Sequence, residues 1–151
     1  MTRLKVGLLA VRMGFWALVL PILKRVVPLR RLAQVMRNDA HGPRDRAYEQ
    51  QVVALSSLLA RLRPPRFRDN CLERSLLAYR FLTRANADAR LVVGVRIAHT
   101  QVLGHAWVTV DDEPIHETPA AITGFSRLVE FGPEGTFSAQ SEQPRLPEVW
   151  V

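Results

Sequence analysis

With a single cysteine, Cys71, the chain can form no intramolecular disulfide and has no need of an oxidising compartment, so a reducing cytosol suits it. Acid is almost missing from the start. Residues 1–40 hold eight Lys or Arg against Asp39 alone, while the remaining residues balance thirteen basic against thirteen acidic groups. The net charge of +7 therefore belongs to an N-terminal arm and not to a basic domain. Such an arm suits an acidic partner, an anionic membrane face or nucleic acid. Aromatics are sparse too, and the arm interleaves only Phe15 and Trp16 among its cations, which argues against a base-stacking nucleic-acid surface. No long hydrophobic run goes unbroken. Residues 6–23 are apolar, but Arg12 interrupts them and Pro21 sits near their end, leaving too little for a spanning helix. Lys24, Arg25, Arg30 and Arg31 follow where a secretory signal would carry a small-residue cleavage site. The expectation is a cytoplasmic protein whose first helix is buried or lies on a surface.

What is present reads as one folded unit: 151 residues, 48% apolar and 23% charged. Residues 1–37 are expected to form one or two helices, broken or kinked near Pro21 and Pro28. Residues 38–44 form a turn. Tyr48, Val52, Leu55, Leu59 and Leu62 recur at steps of four and three, placing them on one helical face that stops at Arg63-Pro64-Pro65. A basic loop through Asp69 and Asn70 leads to a helix over 71–86 faced by Leu72, Leu76, Tyr79 and Leu82, with Asp69 or Asn70 able to cap it. The β-branched stretches 90–98 and 106–110 read as strands. A turn at Asp111, Asp112 and Glu113 then leads to a short third strand over 115–117, so a hairpin carries His105 and His116. After Phe131 the composition shifts to Gly, Pro, Ser, Glu and Gln, where only Leu146, Val149, Trp150 and Val151 are suited to dock back. The expected division is a basic helical arm over 1–44, a catalytic domain over 45–131 and a tail over 132–151.

A thiol becomes a nucleophile when its thiolate is populated, which a helix start and a nearby imidazole both favour. Cys71 has the first. His105 opens the strand His105-Ala106-Trp107-Val108, and Glu117 on the returning strand lies where a carboxylate could orient its ring. Taken alone, each has a plainer reading: a small core cysteine, a structural histidine beside Trp107, a solvated hairpin carboxylate.

Three separated motifs shift that weighing: Asn70-Cys71-Leu72-Glu73-Arg74-Ser75-Leu76, then Leu91-Val92-Val93-Gly94-Val95-Arg96, then Gly104-His105-Ala106-Trp107-Val108. In order and spacing, across residues 50–120, they resemble the leader peptidase of lasso-peptide biosynthesis. The resemblance implies an α+β fold with a transglutaminase-like or papain-like cysteine peptidase core, N-terminal helices and a small antiparallel sheet. It implies Cys71 as nucleophile and His105 as base, with Glu117 at the position of the family's triad aspartate. Asp111-Asp112 stands where the family's turn reads Asp-Gly, and Gly104 where it commonly has alanine. Asp111 is the alternative orienting group, and His116 is left without a role. The Cys71 amide and the Asn70 side chain are candidate oxyanion donors. Arg74 is either a solvated helix arginine or a contact to the leader or to a nearby carboxylate.

By the same resemblance the substrate is a precursor peptide whose leader is removed before a macrolactam synthetase closes the core. The first 50 residues read helical, without the strands of a fused recognition domain, which points to a split form that borrows a separate leader-recognition protein. No cofactor is expected. A metal site built from Cys71, His99, His105 and His116 lacks the close ligand pairs of a zinc motif. A Cys-His-acid acyltransferase is the rival reading, and a noncatalytic peptide-binding module of the same fold the third. Docking of residues 1–37 on a protein partner or on an anionic membrane stays open.

Overall fold

The computed structural model describes residues 3–38, 42–62, 71–99, 101–134 and 137–139. Helix α1 (Arg3–Val26) runs through Pro21 without the expected break. An interior proline costs a helix about 3 kcal/mol, and buried Leu20 with partly buried Leu23 on either side supplies packing to offset it. The chain breaks only at Val27, because the ring of Pro28 pushes its predecessor out of the helical region. Helix α2 (Leu29–Met36) then buries Leu32, Ala33 and Met36.

Helix α3 (Arg46–Leu62) buries Val52 and half-buries Tyr48, Leu55 and Leu59. Leu62 is 71% exposed, so the packed face ends before the periodicity does. Helix α4 (Cys71–Arg84) is the central element. Nine of its fourteen residues are buried, because it packs against all three preceding helices on one side and the first two strands on the other.

The sheet is antiparallel throughout, in the order β3-β2-β1-β4-β5, with β1 (Ala89–Ala98), β2 (Gln101–Val110), β3 (Glu113–Ile115), β4 (Ser126–Phe131) and β5 (Phe137–Ala139). A short helix, α5 (Pro119–Ile122), capped by Thr118, links β3 to β4. The hairpin from β2 to β3 turns on two residues, Asp111 and Asp112, both with positive φ (52° and 65°). That is the primed turn suited to the twist of paired strands, and aspartate is among the residues that tolerate the left-handed region without glycine. Arg44 fastens the turn from outside, reaching both Asp111 oxygens at 2.7 and 2.8 Å and Glu49 at 2.6 and 2.9 Å. Glu49 and then Asp111 hold its guanidinium pKa above the ordinary value.

Strand β2 begins at Gln101, so His105 lies within it and does not open it, its hydrogen-bonded partners on β1 running from Ala98. The third strand spans Glu113–Ile115 and not 115–117: Glu113 already pairs with Val110, and His116 takes φ 67° and leaves the ladder. Glu117 therefore lies in the bend after β3 and not on a strand. Strands β4 and β5 were not expected; β4 completes the sheet against β1, with a bulge between Val93 and Gly94. The proposed docking of Leu146, Val149, Trp150 and Val151, and the loop with Asp69 and Asn70, lie outside the described residues.

One core joins these layers. Leu9, Met13 and Leu20 of α1, Leu32 and Met36 of α2, Val52 of α3, Leu76 and Leu82 of α4 and Leu91 of β1 belong to a single buried cluster. Arg44 spans α3 and the hairpin. The register pairs Gly94 with His105, and the Trp107 ring lies across Gly94 so closely that a Cβ there would sit 2.9 Å from both Trp107 Cη2 and the Ser126 carbonyl oxygen. Gly94→Ala should cost about 1–3 kcal/mol of stability through overpacking, read as a lower urea midpoint at unchanged slope. An unchanged midpoint would mean that the bulge absorbs the methyl group.

Candidate active site

The site begins where α4 begins. Cys71 is its first residue, half-buried and unpaired in any disulfide. The first amides of a helix have no intrahelical acceptor, so they present positive partial charge beside the thiol. The next turn fixes this helix start in place. Glu73, 1% exposed, pairs with Lys24 of α1 at 2.7 Å. Ser75 donates to the Ala106 carbonyl oxygen at 2.9 Å, tying α4 to the residue beside His105.

Arg74 pairs through Nη2 with Glu117 Oε1. The same carboxylate oxygen lies 3.3 Å from His105 Nε2. Arg74, Glu117 and His105 thus form one chain of contacts rooted on the cysteine helix. With Nε2 facing the carboxylate, Nδ1 is the ring nitrogen left for the thiol. Among the described residues no hydrogen bond joins the thiol to the imidazole, and such contacts often close only with substrate bound. Asp111 is not brought to His105. It sits six residues along β2, roughly 20 Å away at about 3.3 Å per residue, and its carboxylate is committed to Arg44. Asn70 lies outside the described residues.

Aromatic rings wall the imidazole. Trp107 stacks on it at 6.0 Å and 23°, and Phe125 approaches at 5.4 Å. Arg96 in turn lies 4.8 Å from the Phe125 ring centre. These rings restrict the orientation of His105 and keep water from its face. Gly104 has open space where a Cβ would be, so alanine would fit equally well there.

Phe125 and His116 were not recognised from the sequence. Phe125 follows a turn and has no neighbours in a periodic pattern, and only the pairing of β4 with β1 brings it to His105. His116 is held by two serines of α3: Ser56 Oγ lies 2.7 Å from Nε2 and Ser57 Oγ 3.1 Å from Nδ1. Adjacent serines one turn below a polar ring leave no mark in hydrophobic periodicity. Their effect is to pin the bend that carries Glu117.

A model of the transglutaminase-like superfamily matches residues 14–130. The chain belongs to the transglutaminase-like superfamily. Its members are usually cysteine-dependent enzymes, and helices against a small antiparallel sheet agree with that α+β fold. No curated protein and no solved structure matches the chain.

Burial, and then the nearby Arg74, lower the pKa of His116 in this transglutaminase-like fold, while Glu117 only partly opposes them. The unfolded chain therefore binds a proton near the ordinary value of 6.5, whereas the folded chain binds it only at lower pH. Stability from this group is complete above the ordinary value of 6.5 and declines as pH falls from there toward the lower folded value. Denaturation midpoints taken from about pH 7.5 down to about pH 5 should fall in the wild type and fall less in His116→Gln. Equal slopes in the two proteins would remove the clamp from the account.

Proposed function

We propose that the chain is a cysteine peptidase that removes the leader from a ribosomally made lasso-peptide precursor, acting with a separate leader-recognition protein and a macrolactam synthetase. The observation that carries the catalytic part is the contact of His105 Nε2 with Glu117 beside the start of the cysteine helix. A cytoplasmic location fits the single free cysteine.

In this reading His105 takes the thiol proton through Nδ1, and the Cys71 thiolate attacks the scissile carbonyl carbon. The developing oxyanion is met by the amide N–H groups of the helix start. Collapse of the tetrahedral intermediate breaks the C–N bond, and the imidazolium returns its proton to the departing amine. Water, deprotonated by the same ring, then hydrolyses the thioester and frees the thiol. Glu117 stabilises the imidazolium in both halves of the cycle. Arg74 shares the carboxylate oxygen used by His105, so it holds Glu117 in place at the cost of drawing away part of its charge.

Mass spectrometry of the precursor peptide incubated with this protein and the recognition protein tests the reading directly. Cys71→Ala and His105→Ala should abolish leader release, while the folded state survives. Glu117→Gln should slow turnover by about 100-fold or more. Glu117→Asp should be milder, and Asp111→Asn should leave turnover near the wild-type rate. Cleavage by Cys71→Ala would remove the proposal. A product carrying a new amide in place of a free carboxylate would assign the same residues to an acyltransferase.

A further inference from the structure

The outward side of α1 is apolar along its whole length. Leu4, Leu8, Val11, Phe15, Leu18, Ile22 and Val26 recur at steps of three and four, and each is more than half exposed, from 54% at Leu8 to 85% at Leu4. The stripe extends about 33 Å at ~1.5 Å per residue. Scattered exposed leucines are ordinary, but an unbroken row of this length on a soluble surface marks a docking face. The charges around it have one sign. Lys5, Arg12 and Arg25 lie exposed on the helix, α1 contains no acidic residue, and exposed Arg30 and Arg31 follow on α2.

Beside the stripe a cleft of about 380 Å³ opens between α1 and α4. Val11 and Phe15 form part of its wall, and Arg12, Arg80 and Arg84 converge on it. Among the described residues no carboxylate pairs with any of the three. Arg80 is positioned by its contact with the Trp16 ring, 4.1 Å from the ring centre, and by donation to the Val35 carbonyl oxygen. Burial and the neighbouring Arg84 depress its pKa, as expected where like charges crowd without a counterion.

We propose that the outward face of α1 docks in the plane of an anionic membrane surface, with the phosphate of one lipid headgroup seated on Arg12, Arg80 and Arg84. An apolar stripe edged by cations is the pattern of an interfacial helix. A second copy of the chain is disfavoured, since facing helices would juxtapose Lys5, Arg12 and Arg25 with no acid of α1 to answer them. By length and composition α1 could cross a bilayer, contrary to the reading of a run cut short by Arg12 and Pro21, because the helix continues through Pro21 to Val26. Its inner face holds Leu9, Met13 and Leu20 in the protein core, so it lies along the membrane and does not cross it.

The test is co-sedimentation of the full-length protein with vesicles of phosphatidylcholine alone or mixed with phosphatidylglycerol. Binding should require the anionic lipid and weaken as salt is raised. Leu8→Glu/Leu18→Glu should weaken it through the stripe and Arg12→Gln/Arg84→Gln through the cleft, each by roughly tenfold or more, with thermal unfolding unchanged. Leu4→Glu, at the most exposed position, replaces the first pair if that pair loses its fold. Four results would overturn the proposal: wild-type sedimentation by the folded variants, binding of glycerol 3-phosphate without binding of anionic vesicles, a solution dimer lost in Leu8→Glu/Leu18→Glu, or resistance to alkaline extraction as a spanning helix would show.

Discussion

The site depends on how the first turn of α4 is fixed, for three consecutive residues after the thiol point three ways. Glu73 reaches α1 through Lys24, Arg74 reaches the bend after β3 through Glu117, and Ser75 reaches β2 through the Ala106 carbonyl oxygen. A helix can do this because successive residues are rotated by about 100° around its axis. The consequence is that the thiol, the imidazole strand and the carboxylate bend are referenced to one short piece of backbone. Any movement of Cys71 relative to His105 has to break at least one of these contacts, and the one with Glu73 involves a carboxylate with no access to water.

The carboxylate side of the site is held with comparable care. Glu117 lies beyond the end of the ladder, where a bend would ordinarily leave a long side chain free to sample several rotamers. Its neighbour His116 removes that freedom by bonding both ring nitrogens to α3. The positive φ of His116 is what turns the two side chains apart, one toward the serines and one toward His105. Left-handed backbone at a residue other than glycine costs roughly 1 kcal/mol or more, and the two hydrogen bonds to the serines offset it.

Much of this could be read from the sequence, and the reasons for the rest are specific. Helix α4 and strand β1 follow from runs whose periodicity and β-branching agree; β2 is legible only over 106–110, because Gln101, Gly104 and His105 dilute its start, and the turn is legible at Asp111 and Asp112, though Glu113, read with them, opens β3. Pro21 misled because a proline signals a break only where nothing compensates for it, and the packing of Leu20 and Leu23 is a tertiary fact. Strands β4 and β5 are short and mixed in polarity, so the pairing of β4 is imposed by the open edge of β1, and that of β5 by the edge of β4, and not by their own alternation. His105 and Glu117 could be proposed from motif order, and the fold brings Glu117 beside His105 while it sends Asp111 to Arg44.

The basic, apolar start of the chain illustrates how one helix can serve two surfaces. Its inner residues, Leu9, Met13 and Leu20, belong to the same core as α4, and Lys24 neutralises Glu73 two residues from the thiol. Removing a partner from a buried ion pair costs about 3–5 kcal/mol, which is a large part of the stability of a domain this size. Deleting the arm would therefore unfasten the cysteine helix as well as erase any docking face, and the two losses could not be told apart. Only substitutions confined to the outward residues separate them, because those side chains contribute nothing to the core. The segment that carries the excess charge is thus also packed on the cysteine helix, through the core residues Leu9, Met13 and Leu20 and through the Lys24–Glu73 ion pair.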